Sequence, residues 1–407
     1  MTNLPQGWEV KKLDDIAEIQ IGKTPSRNNI DFFQGENIWL SIRDLKSKFV
    51  SFSSEKISNE AILKTNMKIV PKGTLLMSFK LTLGKTAFAG CDLYTNEAIA
   101  AIFIKDKNIN KYFLDYALKF TDLEKYVDNA VKGKTLNKQK LRQIEIPIPP
   151  LKEQERIVGI LDESFAKIDE SIKILEQDLL NLDELMQSAL QKAFNPLKDN
   201  AKGNYQLPQG WEWKSLGEIA ITSSGGTPLR NKKEYWENGT IKWLKSGELK
   251  DDYIENVEEK ITEEAIKNSS AKIFSKGTLL IAMYGATAGK LGILNLDSAT
   301  NQAVCAFLHK NKANIKFFEK FIFYFFLSIR DRIIKDSFGG AQPNISQTYI
   351  KNLQIPLPPL KEQEQIASYL DELSLNIKAL KENYKIQIKD YEELKKSLLK
   401  KAFEGRL

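Results

Sequence analysis

Two textures of apolar and polar positions alternate along the chain. Over roughly residues 1–150, and again over 194–359, short apolar runs sit between stretches carrying glycine, proline and asparagine. TLLMSF at 74–79, AIAAIFI at 98–104, TLLIAMY at 278–284 and AVCAFL at 303–308 predict buried strands, because short apolar runs bounded by turn signals suit strands covered on both faces. Residues 111–131 and 314–335 carry apolar side chains at three- and four-residue spacing and predict helices. The second texture is a long amphipathic helix. Pro147, Pro149 and Pro150 close an extended segment. Proline is tolerated at a helix start, where its missing N–H has no intrahelical partner to lose, and Glu153 and Glu155 complement the positive end of the helix dipole. A heptad seam follows: Val158, Leu161, Phe165, Ile168, Ile172, Leu175, Leu179, Leu182, Met186, Ala189 and Ala193. It recurs as Ile366, Leu370, Leu373, Ile377, Leu380, Tyr384, Tyr391, Leu394 and Leu398, with Gln387 as one polar interruption. At 1.5 Å per residue, each ~43-residue helix is ~65 Å long.

The alternation reflects an internal repeat. LPQGWEVKKL at 4–13 returns as LPQGWEWKSL at 207–216, GKTPSRN at 22–28 as GGTPLRN at 225–231, and TNEAIAAIF at 95–103 as TNQAVCAFL at 300–308. IPIPPLKEQERI at 146–157 returns as IPLPPLKEQEQI at 355–366, and ALQKAF at 189–194 as LLKKAF at 398–403. The matches keep their order, so each half is one structural unit. The reading is a tandem pair of α/β (α+β) globules, residues 1–150 and 194–359, each followed by a long helix, 151–193 and 360–407 with a short tail. A lone amphipathic helix of this length would leave its seam in water. Two in one chain most simply pack as an antiparallel coiled coil with pseudo-two-fold symmetry. Dimerisation of each helix with another molecule is the alternative.

Charge follows the same division. Net charge is +7 overall, made up of +6 over 1–150, −5 over 151–193, +5 over 194–359 and +1 over 360–407. Two mildly basic globules suit a polyanionic partner. No apolar run reaches the ~20 residues of a membrane span, and MTNLPQGWEV lacks the apolar core of a secretory signal. Cys91 and Cys305 make no disulfide framework. A cytoplasmic protein with no membrane partner is expected.

Catalytic equipment is missing. His309 is the single histidine, so no mechanism or zinc site needing two is available. GATAGK at 285–290 has one residue too few between its glycines for a phosphate loop, and Leu291 follows its lysine. Asn195-Pro196-Leu197-Lys198 is not the tetrad of an adenine methyltransferase. Asp44-Leu45-Lys46 and Glu248-Leu249-Lys250 are half-matches to a nuclease motif without an upstream acid. The expectation is no catalytic residue, no metal and no cofactor in this chain.

What remains is polar equipment on loops, which is either a set of solvated charges or a surface for reading nucleic acid. Arg and Lys suit phosphates and guanine edges, and Asn and Gln suit adenine edges. In the first globule the candidates are Lys23, Thr24, Arg27 and Asn28 in the TPxRN loop, then Arg43, Lys46, Lys80 and Lys85, then Lys132, Lys134 and Asn137 in a late loop. In the second they are Thr227, Arg230, Asn231 and Lys232, then Lys245, Tyr284 and Lys290, then Gln342 and Asn344.

LPxGW opening each half, GGTPxR, KGxLLxx and above all IPxPPLKEQ leading into a long helix resemble the specificity (S) subunit of type I restriction–modification enzymes. The resemblance spans both halves in order. It implies two target recognition domains, each reading one half of a bipartite, asymmetric DNA site, and two helices that set the spacing and hold two modification subunits. Those partners would bind S-adenosylmethionine and methylate adenine, and restriction subunits with a translocase motor would join them. The chain itself would be non-catalytic. Lys23 departs from the Gly225-Gly226 pattern, so the first loop is expected to follow a different backbone path. The competing readings are a self-contained nuclease or methyltransferase of bipartite specificity, and a coiled-coil scaffold that binds only protein.

Overall fold

The four apolar runs are strands: Leu75–Ser78, Ile99–Ile104, Leu279–Ala282 and Val304–His309. A computed structural model describes residues 5–127, 136–194, 207–310, 316–337 and 344–407. The chain forms two compact units. The first comprises residues 1–175 and 386–407, the second residues 176–385, so both long helices contribute to both units.

In the first unit a five-stranded sheet runs in the order Ala17–Ile21, Ile99–Ile104, Leu75–Ser78, Thr86–Ala89 and Phe49–Val50. Its pairs are antiparallel except the last, which is parallel. Alternation along the central strands explains why they are apolar throughout. Leu75, Met77, Ala100 and Ile102 pack with Phe113, Ile157, Leu161 and Phe403 on one side. Leu76, Ile99 and Ala101 pack with Leu40, Val50 and Val70 on the other. A three-stranded sheet, Glu55–Ile57, Asn37–Leu40 and Tyr94–Thr95, carries Trp39, and Glu9–Lys12 pairs with Glu145–Ile148.

The second unit repeats this plan. Its five-stranded order is Ala220–Ser224, Val304–His309, Leu279–Ala282, Leu291–Leu294 and Asp252–Ile254. Its smaller sheet is Glu259–Ile261, Ile241–Leu244, Ser298–Thr300 and Ile273–Phe274, and Glu212–Ser215 pairs with Gln354–Leu357. The fourth strand of the smaller sheet corresponds to a single bridge in the first unit, Val70 to Leu93.

The long helices are Leu151–Phe194 and Leu360–Phe403, uninterrupted. Within each unit they run antiparallel. In the first, Lys395 pairs with Asp169, and Arg156 donates to the Leu407 carbonyl at 3.0 Å. In the second, Lys381 pairs with Asp183, and Leu190 and Phe194 share a core with Ala367 and Leu370. The first seam faces inward as expected. The second does so with a correction: Leu380, Gln387 and Leu394 are exposed, and their neighbours Lys381, Ile388 and Lys395 take the half-buried positions. Gln387 therefore does not interrupt the seam. The aliphatic stems of Lys381 and Lys395 cover it while their ammonium groups reach acids on the other helix. The helix expected over 111–131 is also shorter. It spans Lys111–Phe120 and ends where the Thr121 hydroxyl bonds back to the Ala117 carbonyl at 2.8 Å. The helix expected over 314–335 is Glu319–Asp336.

Candidate nucleic-acid interface

Each sheet-bearing part, or head, is fastened to the start of a long helix by a buried glutamine. Gln154 accepts from the Asn110 N–H at 2.8 Å and donates to the carbonyls of Asn108 and Pro149 at 2.9 and 2.8 Å. Gln363 accepts from the Phe318 N–H at 2.9 Å and donates to the Pro358 carbonyl at 2.9 Å. Both are fully buried, and an amide supplies the donor and acceptor that this corner needs. The repeated EQ pair thus has a structural cause that motif matching alone does not reveal.

The TPxRN loops have the same construction in both heads. A side chain at Gly22 or Gly225 would collide with a backbone carbonyl, its Cβ falling 2.1 Å from Thr95 O or 2.0 Å from Thr300 O. Lys23 N–H donates to Thr95 O and Gly226 N–H to Thr300 O, both at 2.9 Å. The Trp39 and Trp243 indoles donate to the carbonyls of Lys23 and Gly226 at 3.0 and 2.9 Å. The different backbone path expected at Lys23 is therefore not found. Its ammonium instead turns back to the carbonyls of Thr65 and Asn66, at 2.9 and 3.1 Å.

The loop arginines are sandwiched. Arg27 forks onto Glu55 and lies 4.3 Å from the centre of the Phe33 ring and 5.3 Å from that of Trp39. Arg230 bonds Glu259 at 2.5 Å and lies 3.8 and 4.8 Å from the ring centres of Trp236 and Trp243. The Arg27 hydrogen bond holds Glu55 below its ordinary carboxylate range. Burial works against the charge of Glu259, but hydrogen bonds from Arg230 and Lys245 outweigh it and lower its pKa too. Thr24 donates to Glu97 and Thr227 to Gln302. Arg230 and Lys245 thus converge on Glu259, with Lys245 2.8 Å from it.

Other candidates are dispersed. Lys290 joins Arg330 on Asp251, which takes a left-handed backbone at φ +63°. Arg330 also donates to the Gly289 carbonyl at 3.0 Å, pinning the 285–290 turn. Burial opposes the charge on Asp251, yet bonds from Lys290 and Arg330 keep its pKa below the usual value. Tyr284 bridges to Asn344, and Lys232 bonds the Tyr235 hydroxyl at 3.2 Å. Asn137 accepts from Lys140 N–H at 2.9 Å and caps the short helix Lys138–Arg142. Lys80 lies 5.7 Å from the Phe79 ring centre. Asn28, Arg43 and Asn231 are exposed. Lys46 and Lys85 line a cleft of about 910 Å³ between head and helix, shared with Lys48, Lys119 and Lys395. Lys132, Lys134 and Gln342 lie outside the described residues. Glu55, Glu259, Asp251 and Arg330 escaped sequence reasoning. For the two glutamates, repeat equivalence was an available signal. For Asp251 and Arg330 there was none, since Ser47 and Asp122 stand at the matching places.

Guanidinium, ammonium and amide groups on loops can contact phosphates and base edges. Among the described residues no group of three His, Cys, Asp or Glu side chains is placed to hold a metal ion, and no helix is long and apolar enough to cross a membrane.

The type I restriction modification DNA specificity domain profile matches the chain twice, over residues 5–179 and 208–390. The specificity subunit of the type I restriction enzyme MjaIX of Methanocaldococcus jannaschii is 26% identical over 420 residues, covering 99% of this chain and 94% of that one. The EcoR124I/EcoR124II specificity subunit of Escherichia coli is 28% identical over 236 residues, 56% of this chain and 55% of its own length. A solved structure concerned with complex assembly and conformational transition of the type I R-M system matches over 100% of both chains, with TM-score 0.78 at 21% identity. The HsdS subunit from Thermoanaerobacter tengcongensis matches over 99% of this chain and 98% of its own, with TM-score 0.60 at 20% identity. At these identities the two structures establish likeness of fold.

Proposed function

The chain belongs to the type I restriction modification DNA specificity family, a non-catalytic subunit that recognises DNA through two domains and works with other subunits, and on that premise we propose how it divides the work. Each head, within residues 1–150 and 194–359, reads one half of a two-part DNA site. The helices at 151–193 and 360–403 set the gap between the halves and hold two modification subunits. Those subunits bring S-adenosylmethionine and methylate adenine, and restriction subunits with a translocase join them. The complex acts in the cytoplasm.

One observation carries this reading: the two heads share a scaffold and differ in their loops. Gly22 and Gly225, Trp39 and Trp243, Arg27 and Arg230, and Glu55 and Glu259 occupy matching places and make matching bonds. NIDFFQGEN at 29–37 faces KKEYWENGT at 232–240 in the repeat, and SFKLTLGKT at 78–86 faces AMYGATAGK at 282–290. Parts common to both heads cannot distinguish two half-sites. The parts that differ can, so the site is asymmetric. On this logic Arg27 and Arg230 stiffen the reading loops. Base contact falls to residues that differ between the heads, such as Arg43 and Lys80 in one and Lys232, Tyr284 and Asn344 in the other. Phosphate contacts by lysines such as Lys46 supply affinity that falls with added salt.

The test is methylation of a randomised duplex library by the chain assembled with its modification subunits. A single split motif with a fixed gap supports the reading. A continuous motif, or methylation by the chain alone, overturns it.

A further inference from the structure

Beyond the glutamine clamps, each unit contains a second fastening between head and helix, and the two are built alike. In the first, the Tyr116 hydroxyl on the head helix donates to Asp162 on the long helix at 2.5 Å, and the Lys48 ammonium lies 2.7 Å from the same carboxylate. In the second, the Tyr324 hydroxyl donates to Asp371 at 2.5 Å, and Lys320 reaches both oxygens of that carboxylate at 2.6 Å. Both tyrosines are almost fully buried. The tyrosines and aspartates occupy matching places in the repeat. The lysines do not: Lys48 comes from the edge of the sheet, Lys320 from the first turn of the helix Glu319–Asp336. At the place matching Lys48 stands Asp252, which pairs with Lys378 on the long helix at 3.4 Å. A charged link at this edge is thus present in both units with opposite polarity.

The long helices also share an apolar core with each head, which is non-directional; the second fastening adds a directed bond further along the helix from the glutamine clamp. Asp162 lies eight residues beyond Gln154, and Asp371 eight beyond Gln363, an arm of about 12 Å along the helix. Opening the second fastening by about 3 Å on that arm turns the head by roughly 15°. Any reading loop more than about 13 Å from the pivot then moves by a full base-pair step of ~3.4 Å.

We propose that the Tyr116–Asp162–Lys48 and Tyr324–Asp371–Lys320 clusters are latches that fix the angle at which each head leaves its long helix, making them positioning residues that hold the gap between half-sites to one length. This rests on the split-site reading above. The clusters touch no base and carry no sequence information. Their product is tolerance: with both latches intact the complex accepts one gap, and without them it accepts neighbouring gaps.

The experiment uses the full chain with its modification subunits and duplexes whose half-sites are separated by the preferred gap and by one or two base pairs more or less. The double variant Tyr116→Phe/Tyr324→Phe keeps the rings and removes the two hydroxyls. Losing a hydrogen bond to a charged group is expected to raise methylation at gaps one base pair off, relative to the preferred gap, by about tenfold. An unchanged gap profile overturns the proposal, even if total activity falls, because loss of folded protein lowers all gaps together. A second measurement needs no DNA. Nitroxides at Leu63→Cys on the first head and Ile174→Cys on the helix, both exposed, in a Cys91→Ser, Cys305→Ala background, report the spread of head-to-helix distances. Tyr116→Phe broadens that distribution if the latch acts as described. An unchanged width contradicts it. A wild-type complex without a split motif refutes the reading of function, and the distance measurement then still judges the latch.

Discussion

Replacing Gln154 by leucine keeps the volume of a fully buried side chain and deletes all of its polar atoms. Three backbone groups lose their partner: the Asn110 N–H and the carbonyls of Asn108 and Pro149. An unsatisfied buried group costs about 1–3 kcal/mol. With the N–H at full cost and the carbonyls at the low end, the change destabilises the first unit by about 3–5 kcal/mol. For a unit of ~200 residues each kcal/mol shifts Tm by about 2–4 °C, so the fall is roughly 6–20 °C. Differential scanning calorimetry on Gln154→Leu, with Lys167→Ala as an exposed control that barely shifts the curve, measures it. Gln363→Leu is the matching change in the second unit. A Gln154→Leu protein melting within about 2 °C of wild type would refute the clamp, and with it the structural reason given for the repeated EQ pair.

Arg230→Ala releases the second TPxRN loop from Glu259 and two indole rings; binding selection on randomised DNA should show relaxed readout in one half-site only, and equal damage to both halves would count against separate heads. Asp251 has a folded pKa below its unfolded value, so the stability it contributes is present above about pH 4 and is lost as pH falls through the folded pKa. Urea midpoints of wild type and Asp251→Asn should therefore differ at pH 7 and draw together as pH falls below about 4, whereas a constant difference would contradict the ion-pair account. Burial pushes the Cys305 thiol up to about 12, leaving a thiolate fraction on the order of 10⁻⁴ at pH 8. Iodoacetamide followed by mass spectrometry should modify half-buried Cys91 first and Cys305 only after unfolding; early alkylation of Cys305 would contradict its burial.

The helix starts at Leu151 and Leu360 were legible because proline pairs and the following acids mark them, and the repeat doubled every signal. The first seam was legible for the same reason. The second differs by one position at Leu380 and Leu394, where a lysine, not the leucine, takes the inward place, and at Gln387, where the strict heptad passes over Ile388. Lysine stems cover apolar surface as well as leucine does when an acid on the facing helix receives the ammonium, and that acid is far away in sequence. Distance in sequence also explains the reading of the interface. Arg27 meets Glu55, Arg230 meets Glu259, and Lys290 shares Asp251 with Arg330. From sequence each cation looked free, and only the fold supplied its partner. Composition located the basic loops but did not separate a side chain that stiffens a loop from one that extends beyond it.

The central claim, that two like-built heads each choose one half of a split site, is tested most directly by exchanging one head. Residues 212–357 would be replaced by the corresponding segment of another family member with known specificity, and methylated adenines mapped before and after. The account predicts that one half of the motif changes to the donor's while the other half and the gap stay as they were. A motif altered in both halves, or in neither, would contradict it.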